Sequence, residues 1–164
     1  MHPDAMDDLT HILNWRRISS RLTTSGQPTE DQLADIQRSG VTYVVNLGPH
    51  HNKGALKDES ATVSALGMVY IYIPVDFQAP SDQDFDEFRS ALEAYPDQKM
   101  HVHCIYNARV SAFFYRYAKL GFEMSEADAF ANMDSIWRPG NDWSSFIDDP
   151  AAIGKPNRYA GEDY

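Results

Sequence analysis

The run Met100-His101-Val102-His103-Cys104-Ile105-Tyr106-Asn107-Ala108-Arg109-Val110-Ser111-Ala112-Phe113 contains the elements around which this chain is expected to fold. Its first residues predict a short buried strand, its middle a tight loop, and its end the start of a helix. The single cysteine of the chain, Cys104, stands where the strand ends. A thiol at that position faces backbone N–H groups and the positive end of a helix dipole, which favour a thiolate and attract oxyanions. The run therefore predicts covalent chemistry on a phosphate or a related anion.

Strands and helices alternate on both sides of this run. The pattern predicts strands near 17–23 and over 42–47, 69–75 and 99–103, and helices over 29–40, 57–66, 82–95, 110–120, 126–137 and 142–147. This alternation indicates a single α/β domain with a central, mostly parallel sheet of about four to five strands flanked by helices. We expect a flexible lead-in over 1–11, the domain itself over 12–149, and a loose tail over 150–164. Cys104 falls at the carboxyl end of a strand, where sheets of this kind bind ligands.

Charge and composition exclude several classes of function. The chain carries 24 acidic and 14 basic side chains, and its formal net charge of −10 argues against a nucleic-acid partner. A small phosphate site remains possible, because local donors outweigh distant charges. No apolar run approaches the roughly 20 residues that a membrane span needs, and the acidic N-terminus lacks the pattern of a secretory signal. Since one cysteine cannot form an internal disulfide, a reducing cytoplasm is the expected location.

The central run resembles the phosphate-binding loop of cysteine-based protein tyrosine and dual-specificity phosphatases, through His103-Cys104 followed by Arg109 and Ser111. Two further stretches and one tryptophan resemble bacterial phosphatase-like domains, which also occur fused to β-lactamase-like hydrolases: Leu22-Thr23-Thr24-Ser25-Gly26-Gln27-Pro28-Thr29, Val44-Val45-Asn46-Leu47, and Trp137. The resemblance covers most of residues 12–147. It implies a tyrosine-phosphatase-like fold and a bacterial source.

The resemblance also implies a two-step mechanism. The Cys104 thiolate would attack phosphorus and form a phosphocysteine, while the guanidinium of Arg109 and the loop amides hold the equatorial oxygens. A carboxylic acid would protonate the leaving oxygen and then activate water. The substrate would be a phosphorylated protein or a small phosphomonoester, and no cofactor is required. The expected substrate-binding residues are Ile105, Tyr106, Asn107, Ala108, Val110 and Ser111.

Asp76 is the candidate acid. It follows the apolar strand of 69–75 and lies four residues before Pro80, and the movable acid loop of tyrosine phosphatases has a similar spacing. Asp82 and Asp84 are its rivals. Acidic residues in the first turn of a helix, where both rivals stand, are typical of simple helix stabilisation, so Asp76 is favoured.

The spacing within the loop departs from the family pattern. The family has five residues between cysteine and arginine, whereas four separate Cys104 from Arg109, although Ser111 stands at the usual hydroxyl position. Either the loop is one residue tighter, or Arg109 lies one position early on the helix, a rotation of about 100°. Asn107 occupies a place where glycine is common, and asparagine tolerates a positive φ there.

This departure leaves two alternative functions open. A rhodanese-like sulfurtransferase also uses a cysteine at a strand end, in a loop shorter than that of the phosphatases. A catalytically weak pseudophosphatase would bind phosphate or a phosphoprotein without turnover. The sequence carries no signal for an oligomeric state.

The remaining polar residues of the run have supporting roles. We expect His103 to be buried and to hold the loop through a backbone carbonyl. Ser111 either bonds within its own helix turn or donates to the Cys104 sulfur. His101 and His103 share one face of the strand, a spacing that recurs in metal hydrolases, but the sequence places no further ligand there and predicts no metal.

Overall fold

The central strand of the sheet is β5 (Met100–His103), and all four of its residues are buried. The computed structural model describes residues 8–159. β5 lies between β2 (Leu22–Ser25) and β3 (Tyr43–Asn46) and is parallel to both. β4 (Val69–Tyr72) extends the sheet beyond β3 in parallel, and β1 (Arg16–Arg17) pairs antiparallel with β2. The order β1-β2-β5-β3-β4 confirms the predicted mostly parallel sheet and places Cys104 beyond its centre.

Helices cover both faces of this sheet. α1 (Glu30–Arg38) and α2 (Glu59–Ala65) lie on one face, where Leu33, Ile36 and Val63 join Val44 in an apolar cluster. The other face carries a larger cluster with aromatic side chains from four helices, namely α3 (Asp82–Ala94), α4 (Ala108–Lys119), α5 (Glu126–Asp134) and α6 (Asn141–Phe146). Among residues 8–159, no helix has both the length and the apolar character that a bilayer crossing requires.

Two predicted helix starts are confirmed by their caps. The Thr29 side chain accepts from the amide of Gln32, whose own side chain accepts from the Thr29 amide, which completes a capping box. The Ser125 side chain caps α5 by accepting from the amide of Asp128. The start of α4 is different, because Asn107 forms no side-chain cap. The amides that open α4 are therefore left for another partner.

The prediction of one strand near 17–23 is wrong. The chain instead forms a tight hairpin, in which the amides of Ile18 and Ser19 donate to the carbonyl of Leu22 between β1 and β2. The parallel ladder with β5 extends β2 as far as Ser25, whose register partner is His103. Extended pairing with a buried central strand outweighs the turn tendency of the Thr-Ser-Gly sequence, and it brings residues 25–27 to the level of the Cys104 loop.

The helix predicted over 126–137 ends at Asp134, which corrects that boundary. Trp137–Arg138 instead forms β6, which pairs antiparallel with β7 (Arg158–Tyr159). The Tyr159 ring stacks on the buried Trp137 ring at 5.6 Å, and this burial favours the paired form. Part of the segment expected to be a loose tail is thus folded onto the domain. The expectations for residues 1–7 and 160–164 lie outside the described residues.

Candidate active site

Cys104 is the first residue after β5, at the point where three parallel strands end together. Ser25 on β2 and Asn46 on β3 are both register partners of His103, so the three chain ends share one level of the sheet. The thiol is fully buried, and the Cys104 amide donates to the Ser25 carbonyl at 3.4 Å. Residues 104–107 form the turn that connects β5 to α4.

The carbonyl groups of this turn are all held by donors from the surrounding scaffold. His103 Nδ1 donates to the Cys104 carbonyl at 3.0 Å, and the Gln27 amide donates to the Ile105 carbonyl at 3.0 Å. Asn14 Nδ2 donates to the Tyr106 carbonyl at 2.9 Å. The Ser111 amide donates to the Asn107 carbonyl at 3.0 Å. The peptide bonds are trans, so each N–H points opposite to the carbonyl of its own peptide unit. Holding the carbonyls outward therefore turns the following amides toward the other side of the loop.

Those amides line a cradle that suits an anion. Within residues 8–159, no amide from Ile105 to Val110 donates a hydrogen bond. They precede or open a helix of 12 residues, whose dipole adds partial positive charge at the same place. A run of free N–H groups at a helix start binds a phosphate-like group without any side-chain donor.

Asn107 gives the loop its shape. Its φ of 71° lies in the left-handed region, as the sequence predicted for this position. The side chain is buried, and Nδ2 donates to the Asn14 carbonyl at 2.8 Å and to Thr24 Oγ1 at 3.1 Å. The conformation is therefore fixed by contacts on both sides of the turn.

Gly26 allows the chain after β2 to approach the loop closely. A Cβ at this position would lie 2.7 Å from the Ile105 carbonyl oxygen and 2.9 Å from a methyl group of Leu13. Any larger residue would push away the backbone that carries the Gln27 amide. The close approach is thus a condition for holding the Ile105 carbonyl outward.

Arg109 is the second residue of α4, and its side chain is almost entirely buried. Nη1 donates to Asn52 Oδ1 at 3.1 Å and to the Val75 carbonyl at 2.8 Å, and the guanidinium lies over the Phe77 ring at 5.6 Å. In the part of the chain that the structure describes, Nε and Nη2 make no hydrogen bond. These donors remain for an oxyanion, which the planar guanidinium fork suits.

The structure brings the Asp76 segment next to Arg109. Val75 and Phe77, the two neighbours of Asp76, both contact the Arg109 guanidinium. Asp76 itself is exposed, and its Oδ1 accepts from the Gln78 amide at 2.9 Å. Asp82 is occupied elsewhere, because it pairs with Arg116 Nη1 at 3.0 Å. Asp84 lies in the first turn of α3, where its amide donates to Ser81.

His103 holds the loop through a backbone carbonyl, as predicted, but its second contact was not foreseen. Nε2 lies 2.5 Å from Glu59 Oε2, and both side chains are buried. Gln27 Nε2 donates to the other Glu59 oxygen at 2.6 Å. Desolvation alone would raise the pKa of Glu59, but the charge of His103 and the hydrogen bonds from His103 and Gln27 outweigh it, and the pKa is lowered. Glu59 follows Asp58 at a helix start, so its sequence pattern is typical of a solvated first-turn acid and gave no signal of burial.

Ser111 supports the loop rather than lining the cradle. Its hydroxyl donates to the Ala108 carbonyl at 2.8 Å and accepts from Trp137 Nε1 at 3.0 Å, and its amide bonds Asn107. Because a hydroxyl has one proton, it does not donate to the Cys104 sulfur in this arrangement. Of the two roles that the sequence left open, the bond within its own helix turn is the one observed.

His101, the neighbour of His103 on the same face of β5, is also satisfied within the core. Its ring nitrogens contact Thr23 Oγ1 at 2.8 Å and Ser25 Oγ at 2.7 Å. Burial, together with the nearby charge of His103, holds the pKa of His101 well below its usual value. His101 is therefore a neutral structural residue.

Known proteins resemble this chain both in sequence and in structure. No protein-family model matches the chain. Two curated proteins, the β-lactamase hydrolase-like proteins of Xylella fastidiosa strains Temecula1 and 9a5c, are 30% identical over 90 residues, which are 53% of this chain but only 21% of theirs. The chain thus spans about a fifth of the length of these relatives.

Solved structures match over most of the chain. A DUF442 candidate phosphatase of Shewanella putrefaciens CN-32 is 32% identical, with a TM-score of 0.77 over 87% of this chain and 93% of that one. TpbA of P. aeruginosa, solved in complex with pTyr, is 18% identical and shares the fold, with a TM-score of 0.63 over 98% of this chain and 91% of that one. Fold and loop together define a tyrosine-phosphatase-like α/β domain. Within that class, the chain belongs to the DUF442 family of phosphatase-like proteins.

Proposed function

We propose that the protein is a cysteine-dependent phosphatase that hydrolyses a phosphomonoester through a phosphocysteine intermediate. The observation that carries this proposal is the cradle of unpaired amides from Ile105 to Val110, which starts directly after Cys104 and includes the amide of Arg109. A nucleophile and an oxyanion site in one loop are what phosphoryl transfer to a thiolate needs.

In the first step, the Cys104 thiolate attacks phosphorus, an S–P bond forms and the bond to the leaving oxygen breaks. The amides of the cradle and the free donors of Arg109 bind the equatorial phosphoryl oxygens, which carry the developing charge. Asp76, in its protonated form, gives its proton to the leaving oxygen. Its position supports this role, because both of its chain neighbours contact the guanidinium that would hold the phosphoryl group.

In the second step, water attacks the phosphorus of the phosphocysteine. The Asp76 carboxylate accepts a proton from this water, the S–P bond breaks, and the Cys104 thiolate and inorganic phosphate are released. The two steps leave the enzyme unchanged, and no metal or cofactor takes part in them.

The substrate is proposed to be a phosphorylated protein or a small phosphomonoester in the cytoplasm. Tyr106, which is 37% exposed and meets the Tyr159 ring edge-on at 5.3 Å, offers an aromatic surface next to the cradle. An aryl phosphate would pack against such a ring better than a short alkyl phosphate would.

The test is hydrolysis of an activated aryl phosphate between about pH 4 and pH 8, with Cys104→Ser as the matched control. We expect a bell-shaped profile in the wild type, no turnover in the variant, and retained binding of inorganic phosphate by both. Turnover that survives in Cys104→Ser would exclude the mechanism. Phosphate binding without any wild-type turnover would identify a pseudophosphatase, and a persulfide on Cys104 after thiosulfate treatment would identify a sulfurtransferase.

A further inference from the structure

The contact between Glu59 and His103 joins α2 to the loop that follows β5. Both side chains are at most 1% exposed, and Nε2 and Oε2 are 2.5 Å apart. Burying an ion pair costs desolvation energy, and such pairs contribute little net stability compared with apolar side chains of similar size. Stabilisation of the fold alone therefore does not explain why this pair is buried here.

The hydrogen bonds constrain where the protons of this pair lie. The Cys104 carbonyl can only accept, so His103 Nδ1 carries a proton in the 3.0 Å contact between them. Gln27 Nε2 donates to Glu59 Oε1 at 2.6 Å, which a carboxylate accepts best. The lowered pKa of Glu59 agrees with an ionised carboxylate. With Glu59 ionised, the 2.5 Å contact requires a proton on His103 Nε2, and His103 would then be an imidazolium.

These contacts close a ring around the start of the loop. Gln27 binds Glu59 through its side chain and the Ile105 carbonyl through its amide, while His103 binds Glu59 and the Cys104 carbonyl. Two consecutive carbonyls are thus held by groups that meet at one buried carboxylate. The amides of Ile105 and Tyr106, which belong to the same peptide units, point the opposite way, into the cradle.

We propose that Glu59 is a positioning residue for the Cys104 loop, whose carboxylate keeps His103 in the doubly protonated form and thereby both orients the first amides of the cradle and favours the thiolate. The residue next to Cys104 then carries a positive charge in a buried setting. A buried positive charge close to a thiol stabilises its ionised form, because little water screens it. This inference rests on the proposed function for its catalytic consequence.

Other ionisable groups also face the pair. His50, on the loop after β3, acts on Glu59 through its charge, and Glu59 in turn acts on Tyr70 of β4. His101 of β5 has its ring 6.4 Å from that of His103. Burial holds the pKa of His101 well below its usual value, so of these two histidines only His103 is expected to supply a charge near Cys104.

The test uses Glu59→Gln, which keeps the size of the side chain. A glutamine can accept from Gln27 and donate to a neutral His103, so each contact survives while the charge of the pair is lost. Because Cys104 is the only cysteine, the ultraviolet absorbance of its thiolate can be followed against pH with Cys104→Ser as the blank. We expect the midpoint of thiolate formation in Glu59→Gln to lie about one pH unit above that of the wild type. Glu93→Gln on α3, which removes a carboxylate that pairs with Arg89, is the control and should leave the midpoint in place.

Equal midpoints in Glu59→Gln and in the wild type would overturn the proposal, as would an equal shift in Glu93→Gln. Should Glu59→Gln fail to fold, the imidazole ¹⁵N resonances of His103 in the wild type decide the matter at pH 7. Two protonated nitrogens support the imidazolium, and one protonated nitrogen overturns it. Neither measurement needs turnover. An inactive wild type would therefore refute the proposed phosphatase activity but would leave the effect of Glu59 on His103 and Cys104 unchanged.

Discussion

Arg109 Nη1 donates to the carbonyl oxygen of Val75 over 2.8 Å, and Val75 immediately precedes Asp76. The side chain proposed to bind phosphate therefore also holds the segment that carries the proposed acid. Phe77, on the other side of Asp76, packs under the same guanidinium, and its carbonyl accepts from Trp143 Nε1 at 2.8 Å. The proposed phosphate binding and the placement of the proposed acid are thus linked through one residue.

This linkage makes Arg109→Lys informative. A lysine has no planar fork, so it cannot bind the Val75 carbonyl and two phosphoryl oxygens together. We expect kcat/KM for an aryl phosphate to fall by about 100-fold or more. Arg116→Lys is the matched control, since Arg116 pairs with Asp82 and lies over the Phe85 ring, and it should change kcat/KM by less than about twofold. If Arg109→Lys kept nearly wild-type kcat/KM, the proposed binding of the phosphoryl oxygens by Arg109 would be excluded.

Asp76→Asn tests the acid. An amide cannot donate a transferable proton to the leaving oxygen, so we expect kcat to fall by about 100-fold or more for a substrate with a poor leaving group. The loss should be much smaller for an activated aryl phosphate, whose leaving oxygen needs little protonation. Asp82→Asn provides the comparison, because Asp82 is largely exposed and paired with Arg116. If Asp82→Asn showed the leaving-group dependence and Asp76→Asn did not, the assignment would be wrong.

The left-handed turn at Asn107 predicts an unusual order of stability. Alanine at a φ of 71° is strained by about 1–2 kcal/mol, whereas glycine is not, and both lose the bonds to Asn14 and Thr24. We therefore expect Asn107→Ala to be less stable than Asn107→Gly by about 1 kcal/mol in urea unfolding. At Gln83, an exposed residue of α3, the order should be reversed, because helices favour alanine over glycine. Should alanine be the better residue at both positions, the turn at Asn107 would not be left-handed in solution.

The architecture was predictable because its signals are local. Alternating strands and helices, the capping box of Thr29 and Gln32, and a cysteine between a strand and a helix all follow from residues close in sequence. The role of His103 was predictable for a similar reason, since a histidine that precedes the loop can reach the neighbouring carbonyl. The conformation of Asn107 followed from the known tolerance of asparagine for a positive φ.

What the sequence missed depends on contacts between distant residues. Glu59 lies 44 positions from His103, and only the packing of α2 on the sheet buries it. Asn14 lies 92 positions from Tyr106, and Arg109 lies 34 from Val75. The pairing of β6 with β7 is equally non-local. Periodicity and capping carry no information about which distant side chain completes a hydrogen bond, so the supporting network of the site became visible only in the fold.

His101 predicts how stability depends on pH. Burial, and after it the charge of His103, hold the pKa of His101 well below its usual value of about 6.5. Below about pH 6.5 the unfolded chain binds a proton on His101 and the native protein does not, so stability falls as the pH falls. Each pH unit in this range should cost up to about 1.4 kcal/mol of unfolding free energy. Urea unfolding between about pH 6.5 and pH 5 measures this slope in a range where Glu59, whose pKa is lowered, stays ionised.

His101→Gln separates this effect from general acid destabilisation. A glutamine can still bond Thr23 and Ser25 but takes up no proton, so the variant should lose most of the slope even if it is less stable at every pH. His51→Gln, at an exposed position, should keep the wild-type slope. A wild-type protein equally stable at both ends of the range, or a His101→Gln variant with an unchanged slope, would show that His101 binds its proton in the native state and that the polar contacts around it are not those of a neutral ring.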